Sequence, residues 1–325
     1  MEKNKGSKKT SAKKNGIPAW VHIALIAVIV VVIAFSAYKL LRWNMGTAKT
    51  EGVVEGDFEV EVLDQVFLLP EDKKAMHEDD GVETILFLGN DILTYYKNED
   101  GFVEKVAKKT GATCINAGFT QSTVALKNAS FDESYPLDAF SFYSVSESVS
   151  SGDFSRMHSS AKLFGDSTFD DHTAVLEELD MNSVDTLVVF YDAQDYISRR
   201  IGMNPDDDSD PITYSGALNS GIQMIQKAFP FIRIVCMSFP MCYAYDADGK
   251  LVSGDRYDFG NGRLTTYLQF MIDMSGATGV TFIDNYYGTI DEDNSSGWLL
   301  DNIHVNAACN EHMAQHFTDV IYRDR

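Results

Sequence analysis

The sequence has few cysteines, and their spacing excludes two common kinds of site. The four of them, Cys114, Cys236, Cys242 and Cys309, are too few and too scattered for a disulfide framework. No pair shows the C-x-x-C spacing of a zinc site. We predict that Cys236 and Cys242 are two buried thiols, with a disulfide across a turn as the alternative.

Positive charge is scarce outside the first residues. The chain of 325 residues has a formal net charge of −21, yet residues 1–16 carry +5, from six lysines and Glu2, so the remainder carries −26. An acidic body repels the phosphates of nucleic acid, which argues against nucleic-acid binding. The apolar content of 45% is enough for a sizeable core.

One long hydrophobic run lies near the N-terminus, over residues 18–41. It has no charged residue between Ile23 and Ala37, and about 20 apolar residues suffice to span a bilayer core. We therefore predict a transmembrane anchor that contacts the lipid bilayer through residues 18–41. A cleavable signal peptide is the alternative, although its apolar region usually has only about 7–15 residues.

The lysines before this anchor predict the orientation of the chain in the membrane. They place a basic head, residues 1–17, in the cytoplasm. A stalk and lead-in, residues 42–80, and a globular domain, residues 81–325, would follow outside the cytoplasm. The sequence thus predicts a single-pass protein of the cell membrane with an extracytoplasmic domain.

Apolar strands alternate with amphipathic helices after Gly81. The predicted strands cover residues 85–88, 113–116, 186–191, 232–238 and 280–283. This alternation predicts an α/β fold, a three-layer sandwich with a central parallel sheet of about five strands, of flavodoxin-like type. Residues 129–169 are Ser-rich and read as irregular, and Asp170 with Asp171 is expected to cap the helix that follows.

Functional residues of such a sheet are expected beyond the carboxyl ends of its strands. Polar residues and one glycine, Gly118, occur at these ends and before the last predicted helix. The polar residues are Asn90, Asp91, Asp192, Gln194, Asp195, Asp301 and His304. In this order they resemble the SGNH (GDSL-type) hydrolase family, whose four blocks centre on Ser, Gly, Asn and Asp-x-x-His. The segments that carry the resemblance are ILFLGNDIL, INAGFTQST, VVFYDAQDY and LDNIHVNAACNEHMA.

The resemblance spans about residues 81–325 and implies an acyl-ester hydrolase. In the family a serine attacks the acyl carbonyl, a histidine takes its proton and an aspartate orients the histidine. The implied histidine and aspartate are His304 and Asp301. Asp91 stands at the serine position, and a carboxylate has no proton for His304 to remove.

The positions implied to bind the oxyanion also differ. The resemblance places Gly118 at the glycine, Gln194 at the oxyanion asparagine and Asp192 at a glycine of the third block. Gln194 is one methylene longer than asparagine. Asp91 and Asp192 would together place negative charge where an oxyanion must form. We therefore predict a degenerate site.

Two functions remain open from the sequence, and so does the question of whether the chain is an enzyme. One is a domain with weak or no serine-esterase activity that acts on or binds acylated cell-surface polysaccharide, or binds a partner of envelope assembly. The other is an active acyl-ester hydrolase, an esterase, deacetylase or acyl transferase, with an altered site. The glycan is implied by the resemblance and the predicted location.

No cofactor and no metal site are predicted. His312 and His316 lack the glutamate of a zinc-protease motif, and the acidic run 206–210 lacks EF-hand spacing. Carboxylates crowded around Asp91 would either raise a pKa or recruit a cation, which is a secondary hypothesis. A literal Gly165-Asp166-Ser167 has no strong strand before it, so we predict a surface turn there.

Overall fold

A five-stranded parallel sheet forms the centre of the domain, as the alternation of strands and helices predicts. The structure is a computed structural model that describes residues 21, 28–34, 36, 62–77 and 80–323. The sheet order is β2-β1-β3-β4-β7, with β1 (Thr84–Gly89), β2 (Thr113–Gly118), β3 (Thr186–Phe190), β4 (Arg233–Met237) and β7 (Thr281–Ile283). A separate antiparallel hairpin consists of β5 (Tyr243–Tyr245) and β6 (Leu251–Ser253).

Helices surround this sheet and complete the three layers. They are α1 (Glu71–Lys74), α2 (Asp91–Thr94), α3 (Phe102–Thr110), α4 (Phe142–Ser151), α5 (Ser155–Ala161), α6 (Thr168–Glu178), α7 (Gln194–Ile197), α8 (Tyr214–Ala228), α9 (Leu264–Thr278), α10 (Ser295–Trp298) and α11 (Ala307–Ile321). Helix α3 packs on α11, and α8 packs on α4 and α9. Every residue of β1 and β3 is buried, which explains why both strands read as continuous apolar runs.

Two helices lie in the Ser-rich segment 129–169, so the expectation of an irregular segment is wrong. In α4 the apolar residues Phe142, Val145 and Val149 follow helical spacing and are buried. The serines between them are small enough to be buried as well, and Gly221 of α8 leaves room for the Phe142 ring. The many serines obscure this apolar stripe in the sequence.

Helix α6 also begins earlier than expected. Its first residue is Thr168, and Ser167 occupies the position before it. Asp170 and Asp171 therefore lie in the first turn and do not cap the helix. Their negative charge interacts favourably with the positive end of the helix dipole. The segment Gly165-Asp166-Ser167 is an exposed turn, as predicted.

The described part of the lead-in contacts the last strand of the sheet. Gln65 forms an antiparallel bridge with Phe282 of β7 through two backbone hydrogen bonds of 2.9 and 2.8 Å. Asp64 accepts from His316 of α11 at 2.9 Å and from the backbone N–H of Asp284. Residues 62–77 are thus joined to the domain edge by backbone and side-chain contacts.

The structure describes all four cysteines, and each is a free thiol. Cys236 and Cys242 are buried, which confirms the prediction of two buried thiols. Burial raises the pKa of Cys236 to about 12, so this thiol is not a reactive thiolate at neutral pH.

The predicted head and most of the predicted anchor lie outside the described residues. Of residues 18–41 the structure describes 21, 28–34 and 36. Among the residues described, no helix has both the length and the apolar character needed to cross a bilayer. The anchor, its orientation and the extracytoplasmic location therefore stay predictions.

Candidate active site

Gly89 ends β1 and lets the carboxyl ends of β1 and β3 lie close together. A side chain at this position would collide with the carbonyl oxygen of Phe190 in β3 and with Leu93. The chain then turns through Asn90 into α2, which begins at Asp91. Asp91 is buried, with 8% of its surface exposed. The glycine of the motif is therefore needed for the backbone approach that brings Asp91 to the sheet edge.

The neighbouring strands bring two further loops to the same edge. Strand β1 lies between β2 and β3, so the residues after all three strands meet. Asp192 follows β3 and is 4% exposed. Its backbone N–H donates to Asn90 Oδ1 at 2.9 Å, and Asn90 Nδ2 donates to Asp192 Oδ1 at 2.7 Å. This reciprocal pair fixes the ends of β1 and β3 to each other.

Asp91 is oriented by the loop after β2. The backbone N–H of Gln121 donates to Asp91 Oδ2 at 2.5 Å. Gln121 has φ 60°, a left-handed conformation that a residue with a side chain adopts at some cost. The loop conformation thus supplies a backbone donor to the carboxylate that stands at the serine position.

His304 reaches this edge from the segment before α11. Its Nδ1 donates to Asp301 Oδ2 at 2.6 Å, and Asp301 Oδ1 accepts from the backbone N–H of His304 at 2.8 Å. The imidazole ring stacks on Tyr95, with ring centroids 4.6 Å apart. These contacts direct Nε2 toward Asp91, whose Oδ1 lies 3.9 Å away.

Burial and the neighbouring charged groups change the pKa values of Asp192, His304 and Asp301. Burial, and after it the negative charge of Asp91, raises the pKa of Asp192 to about 7. The Asp91 carboxylate, together with Asp301, raises the pKa of His304 to about 9 against the opposing effect of burial. Burial acts to raise the pKa of Asp301, but its hydrogen bonds with the His304 side chain and backbone lower it overall. In this arrangement His304 is an imidazolium at neutral pH.

Gly118 and Gln194 lie at the same strand ends, but their donors are engaged elsewhere. The N–H of Gly118 donates to Asn116 Oδ1 at 3.1 Å. The side-chain amide of Gln194 donates to Ser198 Oγ at 3.0 Å, and its backbone N–H donates to Asp192 Oδ1. In the part of the chain that the structure describes, neither residue directs an N–H group toward Asp91.

The structure therefore brings Asp91, Asp192, Asp301 and His304 together, while their catalytic and binding roles stay predictions. One donor atom each from Asp91, Asp192 and His304 lies within 4.8 Å of the others, which is a geometry that could bind a metal ion. The cavity beside them has a volume of about 10 Å³.

Three contacts at this site were not predicted: the Asn90 pair with Asp192, the Gln121 amide and the Tyr95 stack. The sequence did indicate Asn90, because it lies between Gly89 and Asp91 in the first motif. Tyr95 follows Asp91 by four residues, the spacing of one helical turn. Gln121 had no signal in the sequence, because the donor is its backbone N–H.

Asp195, one of the polar residues after β3, supports the loop that follows β2. Its carboxylate accepts from the backbone N–H groups of Val124 and Ala125 at 2.7 and 2.9 Å.

Comparison with known proteins gives structural but not sequence matches. No protein-family model and no curated protein matches the chain. One crystal structure has a TM-score of 0.55 and 17% identity and covers 76% of this chain and 99% of its own. A protein from Lactobacillus plantarum has a TM-score of 0.51 and 15% identity, with coverages of 75% and 98%. A possible lipase from Chitinophaga pinensis has a TM-score of 0.49 and 14% identity, with coverages of 74% and 98%.

Likeness at these identities shows the fold alone. The chain shares with the first two structures an α/β fold, a parallel five-stranded sheet between helices, and the four motif segments that resemble SGNH hydrolases lie at one edge of this sheet. What the site does is a separate question, since one fold can carry different chemistries.

Proposed function

We propose that the chain is a membrane-anchored, extracytoplasmic SGNH-like domain without serine-type esterase activity, which binds acylated cell-surface glycan. The observation that supports the loss of activity is the Asp91 carboxylate at the nucleophile position. Its Oδ2 accepts from the Gln121 amide, and its Oδ1 faces His304. A serine mechanism needs a hydroxyl at this place, from which the histidine removes a proton.

The placement of the hydrogen-bond donors supports the same proposal. An oxyanion hole needs donors directed at the position where negative charge develops. The Gly118 amide and the Gln194 side chain donate to other groups, and Asp192 adds a second carboxylate beside Asp91. Such a site disfavours an oxyanion. Membrane attachment and the glycan ligand follow from the sequence resemblance and the apolar segment.

An active acyl-ester hydrolase with an altered site is the second candidate. The observation in its favour is the His304–Asp301 pair, whose 2.6 Å hydrogen bond has the geometry of a catalytic histidine with its orienting acid. Under this alternative the nucleophile would be a group other than Asp91.

An ester-hydrolysis assay separates the two candidates. We expect the purified full-length chain to hydrolyse p-nitrophenyl acetate no faster than its His304→Ala variant, because Asp91 offers no hydroxyl to activate. A serine-directed fluorophosphonate should leave the chain unlabelled. Binding to O-acetylated polysaccharide, with the deacetylated polymer as control, should persist in both chains.

Two results would contradict the loss of activity. Turnover that disappears in the His304→Ala variant would establish the active hydrolase. Labelling at Ser167, with loss of turnover in Ser167→Ala, would move the nucleophile to the exposed Gly165-Asp166-Ser167 turn. Equal retention of both polymers would refute the acyl-glycan ligand.

The predicted topology has its own measurement. Protease added to intact cells that express the chain should digest the domain of residues 81–325 and spare an epitope fused to the head, residues 1–17. The reason is the lysine-rich head, which stays on the cytoplasmic side. A domain protected until the cells are lysed would refute the orientation, and a mature chain that begins near residue 38 would refute the uncleaved anchor.

A further inference from the structure

At the sheet edge, three side chains each have one polar atom without a hydrogen-bond partner among the described residues. Within residues 62–77 and 80–323, hydrogen bonds reach only Oδ1 of Asp192, from Asn90 and from the Gln194 backbone. Hydrogen bonds in the same part of the chain reach only Oδ2 of Asp91. His304 uses Nδ1 for Asp301, and its Nε2 has only the 3.9 Å ionic contact with Asp91 Oδ1 there. The Asp192 residue is only 4% exposed, so its carboxylate lies in the interior of the sheet edge.

The distance between His304 and Asp91 is compatible with one ion bound between them. Nε2 and Oδ1 are 3.9 Å apart, too far for a direct hydrogen bond. Zinc lies about 2.1 Å from nitrogen and oxygen ligands, so two ligands of one ion can be at most about 4.2 Å apart. One ligand atom each from Asp91, Asp192 and His304 lies within 4.8 Å of the others, close to the spacing of ligands around one ion.

Each of the three side chains is oriented through its other polar atom. Asp301 binds His304 Nδ1, Asn90 binds Asp192 Oδ1, and the Gln121 amide binds Asp91 Oδ2. Metal-binding histidines nearly always donate their second nitrogen to a carboxylate or carbonyl in this way. The site therefore has the supporting contacts of a metal site as well as the ligands.

The size of the cavity and the local charge favour an ion over an organic ligand. A cavity of about 10 Å³ is close to the volume that one water molecule needs, roughly 10–15 Å³ on the same measure. Its lining contains two carboxylates and one imidazole. Buried charges are normally paired or coordinate metals, and a divalent cation that displaces the Nε2 proton of His304 would balance both carboxylates.

We infer that Asp91, Asp192 and His304 form a binding site for one divalent transition-metal ion, Zn²⁺ or Mn²⁺. One imidazole nitrogen with two carboxylate oxygens matches the ligands of these ions, whereas Ca²⁺ prefers oxygen alone. The ion keeps water in its remaining positions. This site goes beyond the proposed function, and its occupancy is measurable without any activity.

Equilibrium dialysis with elemental analysis tests the site. The full-length chain, stripped with EDTA and dialysed against ZnCl₂ or MnCl₂, should retain about one ion per chain, the ratio of a single site. The variants Asp192→Asn and His304→Ala should lose at least about 100-fold in affinity, because each removes a direct ligand. Asp301→Asn, which removes only the partner of Nδ1, should lose about 10–100-fold.

His158 provides a matched control. It lies between Asp170 and Glu177, at 3.2 and 2.8 Å, and so offers the same types of ligand at a partly exposed position. His158→Ala should leave the high-affinity ion unchanged. Far-UV circular dichroism of each variant checks that the fold is intact.

Retention far below one ion per chain by the wild type would overturn the inference. Wild-type affinity in folded Asp192→Asn and His304→Ala chains would do the same, as would loss of the ion in His158→Ala or a preference for CaCl₂ over both other salts. None of these results depends on ester hydrolysis, so the inference and the proposed function can fail separately.

Discussion

Replacing Asp91 by serine, Asp192 by glycine and Gln194 by asparagine in one chain should produce hydrolysis of a small acyl ester at least about 100-fold above the wild type. Serine supplies the hydroxyl that the mechanism needs, and the His304–Asp301 pair is already in place. Asp192→Gly removes a buried carboxylate from the position next to the developing oxyanion. Gln194→Asn introduces the shorter side chain that the family resemblance implies for the oxyanion donor.

The magnitude follows from the oxyanion donors. One donor is worth about 3–4 kcal/mol of transition-state stabilisation, a factor of about 10²–10³ in rate. Asp91→Ser alone should therefore give little activity, because neither Gly118 nor Gln194 directs a described donor toward the reacting group. Removing the two carboxylates also removes charges that raise the pKa of His304, so its ring becomes available as a base nearer neutral pH.

The measurement is the rate of p-nitrophenyl acetate hydrolysis and labelling by a fluorophosphonate. The matched controls are the same triple variant with alanine at position 91 and with His304→Ala added, and both should be inactive. Equal rates in the triple variant and in its alanine counterpart would show that position 91 is not the nucleophile position. The sequence alignment of the first motif would then be wrong.

The fold and the meeting of the motif residues could be predicted because they depend on periodic patterns. The runs that form β1 and β3 are buried on both faces, and parallel strands direct their carboxyl ends to one edge. Asp91 and Asp192 each lie two residues beyond the end of one of those strands, so their proximity follows from strand adjacency. His304 reaches the same edge from the segment before the last helix, as the order of the family's blocks implies.

The contacts that orient these residues could not be predicted, since they depend on backbone geometry within loops. The donor to Asp91 is a backbone N–H, and it points at the carboxylate because Gln121 adopts a left-handed conformation. The sequence also implied that Gln194 would lie beside the site. In the structure its side chain turns to Ser198 within the same helical segment, a local contact that a longer amide can reach.

Burial of Asp192 has a consequence for stability that depends on pH. Its pKa is raised to about 7, so between about pH 4 and pH 7 the folded chain binds a proton that the unfolded chain releases. Stability falls with pH wherever the folded state binds more protons. The contribution of this group is therefore most favourable below about pH 4 and is lost as the pH rises through 7.

Asp192→Asn should for this reason stabilise the metal-free chain at pH 8 by about 2–4 kcal/mol and near pH 4.5 by about 1 kcal/mol or less. Asparagine keeps the acceptor for Asn90 and for the Gln194 amide, and its new N–H group can donate to Asp91.

Urea unfolding in EDTA at both pH values measures the difference in the free energy of unfolding between wild type and variant. Asp206→Asn, on the exposed 204–211 loop, is the control for general removal of charge. Equal loss of stability at both pH values would mean that the Asp192 carboxylate is not destabilised by burial in the folded chain. In excess Zn²⁺ the sign should reverse, because the wild type then gains the free energy of binding the ion and the variant does not.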